Sequence, residues 1–321
     1  MGMESSLPSI ISTLGLRVAV RRARHEVKRG FFLQHPWYDT AATCPDDAIL
    51  IGGCGRSGTT MLRELINRHS RIAIGPETAI LCDIINPSRL ATEWGTTEAD
   101  VRQRMGSSRS IVEFSQGFFR DYAQKHGKAR WGDKTPRNIR YVQRLLNQFP
   151  NSKFIHIIRD GRDVACSLRN HPKENIRHGK VVPNTVNRPI WLCARRWIDD
   201  TGLGLMFRGH PRVLEVRYEQ LVLEPEAELR RICDFLGEQY EPVMLDASQD
   251  ADLKRTRLMN NQNAGEAVNR KSLARWKSDL TPAERKDFVR VAGELLIALG
   301  YAQNHDWADE PVVPRAPREK S

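Results

Sequence analysis

Apolar residues along this chain fall into two patterns, short continuous runs and longer stretches spaced by three and four. Ile49-Leu50-Ile51 is a run of the first kind, followed by Arg71-Ile72-Ala73-Ile74-Gly75, Arg130-Trp131-Gly132, Phe154-Ile155-His156-Ile157-Ile158 and Val213-Leu214-Glu215-Val216. Runs this short and apolar predict strands buried on both faces, as in a parallel sheet. Helical spacing fills the intervals. It runs through Met61, Leu62, Leu65, Ile66 and His69, through most of 79–128, and through Ile139, Val142, Leu145, Leu146 and Phe149 up to Pro150. It returns over 162–170, at Trp191, Ala194, Ile198, Thr201 and Leu205, and at Leu229, Ile232, Cys233 and Leu236. Thr135 is placed to N-cap one helix with Pro136 in its first position. Thr281 and Glu284 form a capping box for the last helix, which carries Phe288, Val291, Ala292, Leu295, Leu296 and Leu299 and ends at Gly300. His156, inside an apolar strand, reads as a hydrogen-bonded core histidine. Strands alternating with helices predict a three-layer α/β fold, a central parallel sheet flanked by helices, with ligands at the carboxyl ends of the strands.

The first strand leads into chemistry. After Ile51 come Gly52 and Gly53, and Gly58-Thr59-Thr60 opens the next helix. Strand, glycine-rich turn and helix N-terminus together cradle anions, because backbone N–H groups converge and the helix dipole adds positive potential. From Gly53 to Thr60 the spacing overlays a P-loop, except that Thr59 replaces the phosphate-binding lysine and Arg56 is the turn's cation. Nucleotide triphosphatases use that lysine with magnesium. The loop therefore suits a phosphate-bearing ligand other than a magnesium-bound triphosphate, and no metal is expected.

GRSGTT after a buried strand resembles the 5′-phosphosulfate loop of sulfotransferases that use 3′-phosphoadenosine-5′-phosphosulfate (PAPS). Further matches follow in family order: PET at 76–78, DKTP at 133–136, FPNSKFIHIIRDGRDVACS at 149–167, VRYEQLV at 216–222 and VNRKSLARW at 268–276. They span most of residues 48–301, and the branch they most resemble is the tyrosylprotein sulfotransferases. The resemblance implies that Arg56, Ser57, Gly58, Thr59 and Thr60 hold the 5′-phosphosulfate, and that Arg159 and Ser167 hold the 3′-phosphate. It implies Tyr218 near the nucleotide, with Arg270 and Lys271 on a closing lid. Lys134 matches a second cation directed at the transition state and Glu77 matches the general base, while Arg162 and Asp163 read as structural. In that branch the Glu-Thr pair is followed by basic residues that grip an acidic peptide. Ala79 and Asp83 stand there instead, so the hydroxyl-bearing acceptor stays open among a peptide, a glycan and a small molecule.

Composition changes the picture in three places. With 40% hydrophobic and 28% charged residues, the 321-residue chain is globular, organised as a basic N-terminal segment 1–45, a catalytic domain 46–303 and a polar, Pro-rich tail 304–321. Its net charge of +11 favours an anionic ligand or partner. The basic residues are spread, with no aromatic-studded RNA module, which argues against nucleic acid. The remaining readings are a P-loop small-molecule kinase, disfavoured by the missing lysine, and a non-enzymatic nucleotide- or nucleic-acid-binding protein. Six scattered cysteines without a C-x-x-C pair read as buried thiols in a reducing compartment. No apolar run reaches membrane-spanning length, so the expectation is a cytoplasmic enzyme. It is peripheral to a membrane if the basic stretch 10–28 lies on an anionic surface. A homodimer stays open, and 244–270, which lacks periodicity, reads as a lid or insertion.

Overall fold

The computed structural model describes residues 41–82, 85–170, 173–177, 180–184, 187–246 and 272–313. The basic stretch 10–28, Asp83, Arg270, Lys271, nearly all of 244–270 and the end of the tail lie outside the described residues. The strands are β1 (Ile49–Gly53), β2 (Ile72–Ile74), β3 (Arg130–Lys134), β4 (Lys153–Ile158), β5 (Lys173–Arg177), β6 (Lys180–Asn184) and β7 (Val213–Arg217). A parallel sheet of 5 strands runs in the order β2-β3-β1-β4-β7, and β5 pairs antiparallel with β6 as a separate hairpin. β1 is central, with Ile51 opposite both Lys134 and Ile155. That register puts the ends of β1 and β3 beside each other, where the glycine-rich turn begins.

The longer helices are α1 (Thr59–Asn67), α2 (Pro87–Trp94), α3 (Glu98–Ser107), α4 (Ile111–Lys125), α5 (Val142–Gln148), α6 (Gly161–Arg169), α7 (Ile190–Leu205), α8 (Tyr218–Leu223), α9 (Pro225–Leu236) and α10 (Pro282–Ala298), with a single helical turn at Trp276–Asp279 before the last. Side chains alternate across the strands and so build two cores. Ile49, Ile51, Ile155 and Ile157 pack with α1, α8 and α9, while Leu50, Ala73, Trp131 and Phe154 pack with α2 to α5. A third cluster joins Cys54 and Ile158 to α6, α7 and α10 through Trp197, Trp276, Phe288 and Trp307. Packed structure thus continues past 303. Fully buried Arg285 donates to the carbonyls of Lys277 at 2.7 Å and Glu310 at 2.6 Å, and Arg162 stacks on Trp276 and Trp307.

Three local expectations are corrected. Pro136 opens a 3-10 segment, Pro136–Arg140, before α5 begins. Thr135 caps nothing with its hydroxyl, because that oxygen accepts the Ala79 N–H at 3.2 Å. His156 is buried without a hydrogen bond: neither ring nitrogen has a partner among the described residues, and Gly204 of α7 packs against the ring. Trp191 is 40% exposed, since the buried face of α7 runs through Ile190, Ala194, Trp197 and Thr201. The capping box at Thr281 and Glu284 forms as its sequence predicts.

Candidate active site

The turn from β1 to α1 is held open by its backbone. Arg56 has a φ of 77° and Gly58 a φ of 92°, both left-handed. Gly58 faces the Tyr218 ring so closely that an added Cβ would lie 2.3 Å from Cδ2, so both space and φ demand glycine. Tyr218, at the start of α8, is buried and its hydroxyl shares a 2.6 Å hydrogen bond with the Ser272 hydroxyl. Ser57 is 1% exposed, and its Oγ has no hydrogen-bond partner among the described residues. A buried hydroxyl without a partner at the mouth of an anion cradle is free to donate to a ligand.

Cations crowd the same turn. Arg56 Nε donates to Ser167 Oγ of α6 at 3.0 Å. Arg159, just past β4, donates to the Arg56 carbonyl at 3.2 Å and to the Ser272 carbonyl, and its guanidinium lies 4.4 Å from the Tyr218 ring centroid. Its Nε is buried without a partner among the described residues. Burial, and then the like charges of Arg159 and Arg275, hold the Arg56 pKa below its ordinary value, with the Glu77 carboxylate opposing them. Positive charge packed this way is stabilised by an anion entering the turn.

On the other side of the loop, β2 and β3 deliver an acid and a cation to one point. Lys134 Nζ, at the end of β3, lies 3.3 Å from Glu77 Oε2 and 3.4 Å from Thr60 Oγ1. The Lys134 side chain is 5% exposed and that of Glu77 42% exposed, so the lysine is fixed and the carboxylate faces solvent. Arg56, Ser57, Gly58, Thr59, Thr60, Glu77, Lys134, Arg159, Ser167 and Tyr218 therefore gather at the carboxyl ends of β1, β2, β3, β4 and β7, where an open α/β sheet binds its ligands. Arg270 and Lys271 are not placed.

Residues 48–242, more than half of the chain, match the Sulfotransferase family. The chain belongs to that family. Relatives of this sulfotransferase include protein-tyrosine sulfotransferase A of Caenorhabditis elegans, 28% identical over 80% of this chain and 67% of that protein. Protein-tyrosine sulfotransferase 2 of Gallus gallus is 26% identical over 79% and 69%. The nodulation protein NoeE of Sinorhizobium fredii is also 26% identical, over 82% and 68%. The fold is shared with the sulfotransferase domain of a Synechococcus olefin synthase, with a TM-score of 0.53 at 22% identity over 82% of this chain and 98% of that one. It is shared too with the sulfotransferase domain of the curacin biosynthetic pathway, TM-score 0.55 at 20% identity over 79% and 98%.

Sequence reasoning read Asp163 as structural but did not show which residues it and Trp197 hold in the site. Trp197 Nε1 donates to the Arg159 carbonyl at 3.1 Å, and Asp163 accepts the Trp276 N–H on Oδ1 at 3.0 Å while its Oδ2 lies 3.7 Å from Arg159. Thr78 and Asp133 sit inside the PET and DKTP motifs, yet nothing in the spacing shows that they touch. Among the described residues no group of three or more His, Cys, Asp or Glu side chains is arranged to hold a metal, and no helix is long and apolar enough to cross a membrane.

Proposed function

We propose that this sulfotransferase takes the sulfuryl group of PAPS and passes it to a hydroxyl oxygen of its acceptor, using cationic side chains where a kinase uses magnesium. The observation that carries this is the meeting of Lys134, Glu77 and Thr60 beside a loop whose own cation, Arg56, reaches across to Ser167. The unpartnered Ser57 hydroxyl and Arg159 Nε fit a ligand with a 5′-phosphosulfate and a second phosphate. In the reaction the acceptor oxygen bonds to sulfur, the bond from sulfur to the bridging phosphate oxygen breaks, and adenosine 3′,5′-bisphosphate departs. Glu77 takes the acceptor proton. Lys134 and Arg56 meet the charge that grows on the leaving phosphate.

A kinase reading is weaker because Thr59 occupies the position of the phosphate-binding lysine. For the acceptor, Ala79 places no cation beside Glu77. We infer an acceptor recognised without an acidic-peptide grip at that position, drawn from hydroxylated glycans and small phenols. All six cysteines are free and buried, which fits work in a reducing compartment such as the cytoplasm.

Thermal unfolding with nucleotides tests the donor. Adenosine 3′,5′-bisphosphate is expected to raise Tm by mass action, and ATP with magnesium to leave it unchanged. Arg159→Ala is expected to weaken bisphosphate binding by about 1.5–3 kcal/mol, the range for hydrogen bonds to charged groups. Equal stabilisation by both nucleotides would sink the reading. Transfer of labelled sulfate from PAPS to acidic tyrosine peptides, glycans and phenols then ranks the acceptors.

A further inference from the structure

Glu77 and Lys134 reach the site from different elements and meet in a 3.3 Å ion pair. Glu77 rides on the turn that leaves β2, with its side chain 42% exposed. Within the turn the Ile80 N–H donates to Thr78 Oγ1 at 3.1 Å and the Cys82 N–H to the Ala79 carbonyl at 3.0 Å. Two further hydrogen bonds fasten the turn to the residues on either side of Lys134. Thr78 Oγ1 donates to Asp133 Oδ1 at 2.8 Å, and the Ala79 N–H donates to Thr135 Oγ1 at 3.2 Å. Ala79 takes a left-handed φ of 63° in this arrangement, a conformation an alanine keeps only where its surroundings impose it. Asn138 completes the connection. Its Nδ2 donates to Asp133 Oδ2 at 2.7 Å and to the Ile51 carbonyl at 3.2 Å, so Asp133 is tied to the strand that runs into the P-loop.

Asp133 is 1% exposed and accepts from Thr78, Asn138 and Thr135. Burial raises its pKa above the ordinary carboxylate value, with the donors Asn138, Thr78 and Thr135 opposing the rise and the Glu77 carboxylate adding to it. A buried carboxyl joined directly to the turn after β2 and, through Asn138, to β1 couples the motion of those segments.

We propose that Asp133 is a positioning residue that acts through Thr78, latching the Glu77 carboxylate to the Lys134 ammonium and to the P-loop. The inference rests on Glu77 being the base. A base in a loosely held turn samples poses away from the acceptor proton, and a misplacement of about 1 Å can cost about 10²-fold in rate. A merely structural Asp133 would instead lower stability and donor affinity, with rate losses independent of Glu77.

Thr78→Val keeps the shape of the side chain and removes the donor to Asp133 together with the acceptor of the Ile80 N–H, both of which Thr78→Ser retains. Turnover is read as bisphosphate released from PAPS, with phenols and with water as acceptors, in Thr78→Val, Thr78→Ser, Glu77→Gln and the Thr78→Val/Glu77→Gln double variant. Bisphosphate affinity is measured alongside. Thr78→Val is expected to lose about 10- to 100-fold in kcat with bisphosphate Kd within about twofold of wild type, and Thr78→Ser to recover most of the loss. In the Glu77→Gln background Thr78→Val is expected to cost nothing more, because the latch then holds a group that no longer works. Losses that multiply in the double variant, or a Thr78→Val enzyme as fast as wild type, overturn the proposal. Asp133→Asn, compared in the same way, must follow Thr78→Val, and a normal rate there also overturns it. If Glu77→Gln itself keeps wild-type turnover, the base assignment has failed and the latch falls with it.

Discussion

Glu77 and Lys134 stand 3.3 Å apart, close enough to pair yet unequal in setting, one facing solvent and the other buried. That asymmetry fits the two roles proposed for them. The exposed carboxylate is reachable by an acceptor hydroxyl, whereas the fixed ammonium, also 3.4 Å from Thr60, is aimed into the loop. Losing a positioned base typically costs about 10²–10⁴-fold in rate. Losing one preorganised electrostatic partner costs about 10²–10³-fold. Glu77→Gln is therefore expected to lower turnover strongly while bisphosphate affinity hardly changes. Lys134→Ala is expected to lower turnover and to weaken donor binding as well, because the lysine already touches a loop hydroxyl. The Glu77→Gln loss is expected to shrink with acceptors of lower pKa, whose protons need less help. Steady-state kinetics across a series of substituted phenols, with bisphosphate affinity for each variant, checks all three. A Glu77→Gln enzyme with normal turnover and a normally bound donor removes Glu77 from the mechanism.

At the scale of elements, the strands and the anion turn were legible because their signals are local. A short apolar run, two glycines and a Thr-Thr helix start each act within a few residues, and β1, β4 and α1 form where those signals sit. Contacts between distant segments leave no such trace. Thr78 and Asp133 are 55 residues apart and Cys54 and Arg196 142, so only the folded sheet brings them together. Thr135 misled for the same reason, since the partner that claims its hydroxyl, Ala79, lies on another strand's turn. His156 was legible as core, but its lack of partners follows from what α7 sets against it. An alanine at 204 would place its Cβ 2.2 Å from His156 Cε1 and 2.5 Å from Ile139 Cδ1. A glycine inside a helix costs about 1 kcal/mol relative to alanine, so Gly204→Ala gains that much in propensity. Overpacking a dense core costs about 1–3 kcal/mol, and here two neighbours obstruct the methyl. Packing is expected to win, with Gly204→Ala lowering the urea midpoint at an unchanged m value. Gly202→Ala, on the same helix with nothing within 4 Å of its Cβ, is the control expected to hold or raise the midpoint.

For the whole molecule, the +11 net charge and a buried imidazole act together as pH falls. Carboxylates protonate in acid, net charge climbs, and self-repulsion weakens the compact state. His156 adds a separate contribution. Burial, and then the positive charge of Arg208, push its pKa down to about 3 from an ordinary value of 6.5. The folded protein therefore binds this proton less readily than the unfolded chain. The stability associated with the neutral ring is complete above pH 6.5 and is lost progressively as pH falls toward 3. Each unit of that interval is worth about 1.4 kcal/mol, so about 2 kcal/mol is gone by pH 5. His156→Leu has no proton to take up. Its altered packing shifts stability by a constant at every pH, while the general charge repulsion is common to both proteins. The difference between wild type and variant thus isolates the imidazole. Urea unfolding between pH 8 and pH 4.5 is expected to show the two curves running parallel above pH 7. Below pH 6.5 wild type is expected to fall away more steeply, by about 2 kcal/mol at pH 5 relative to the variant. Curves that stay parallel through that window would mean that His156 takes up a proton as easily in the folded protein as in the unfolded chain.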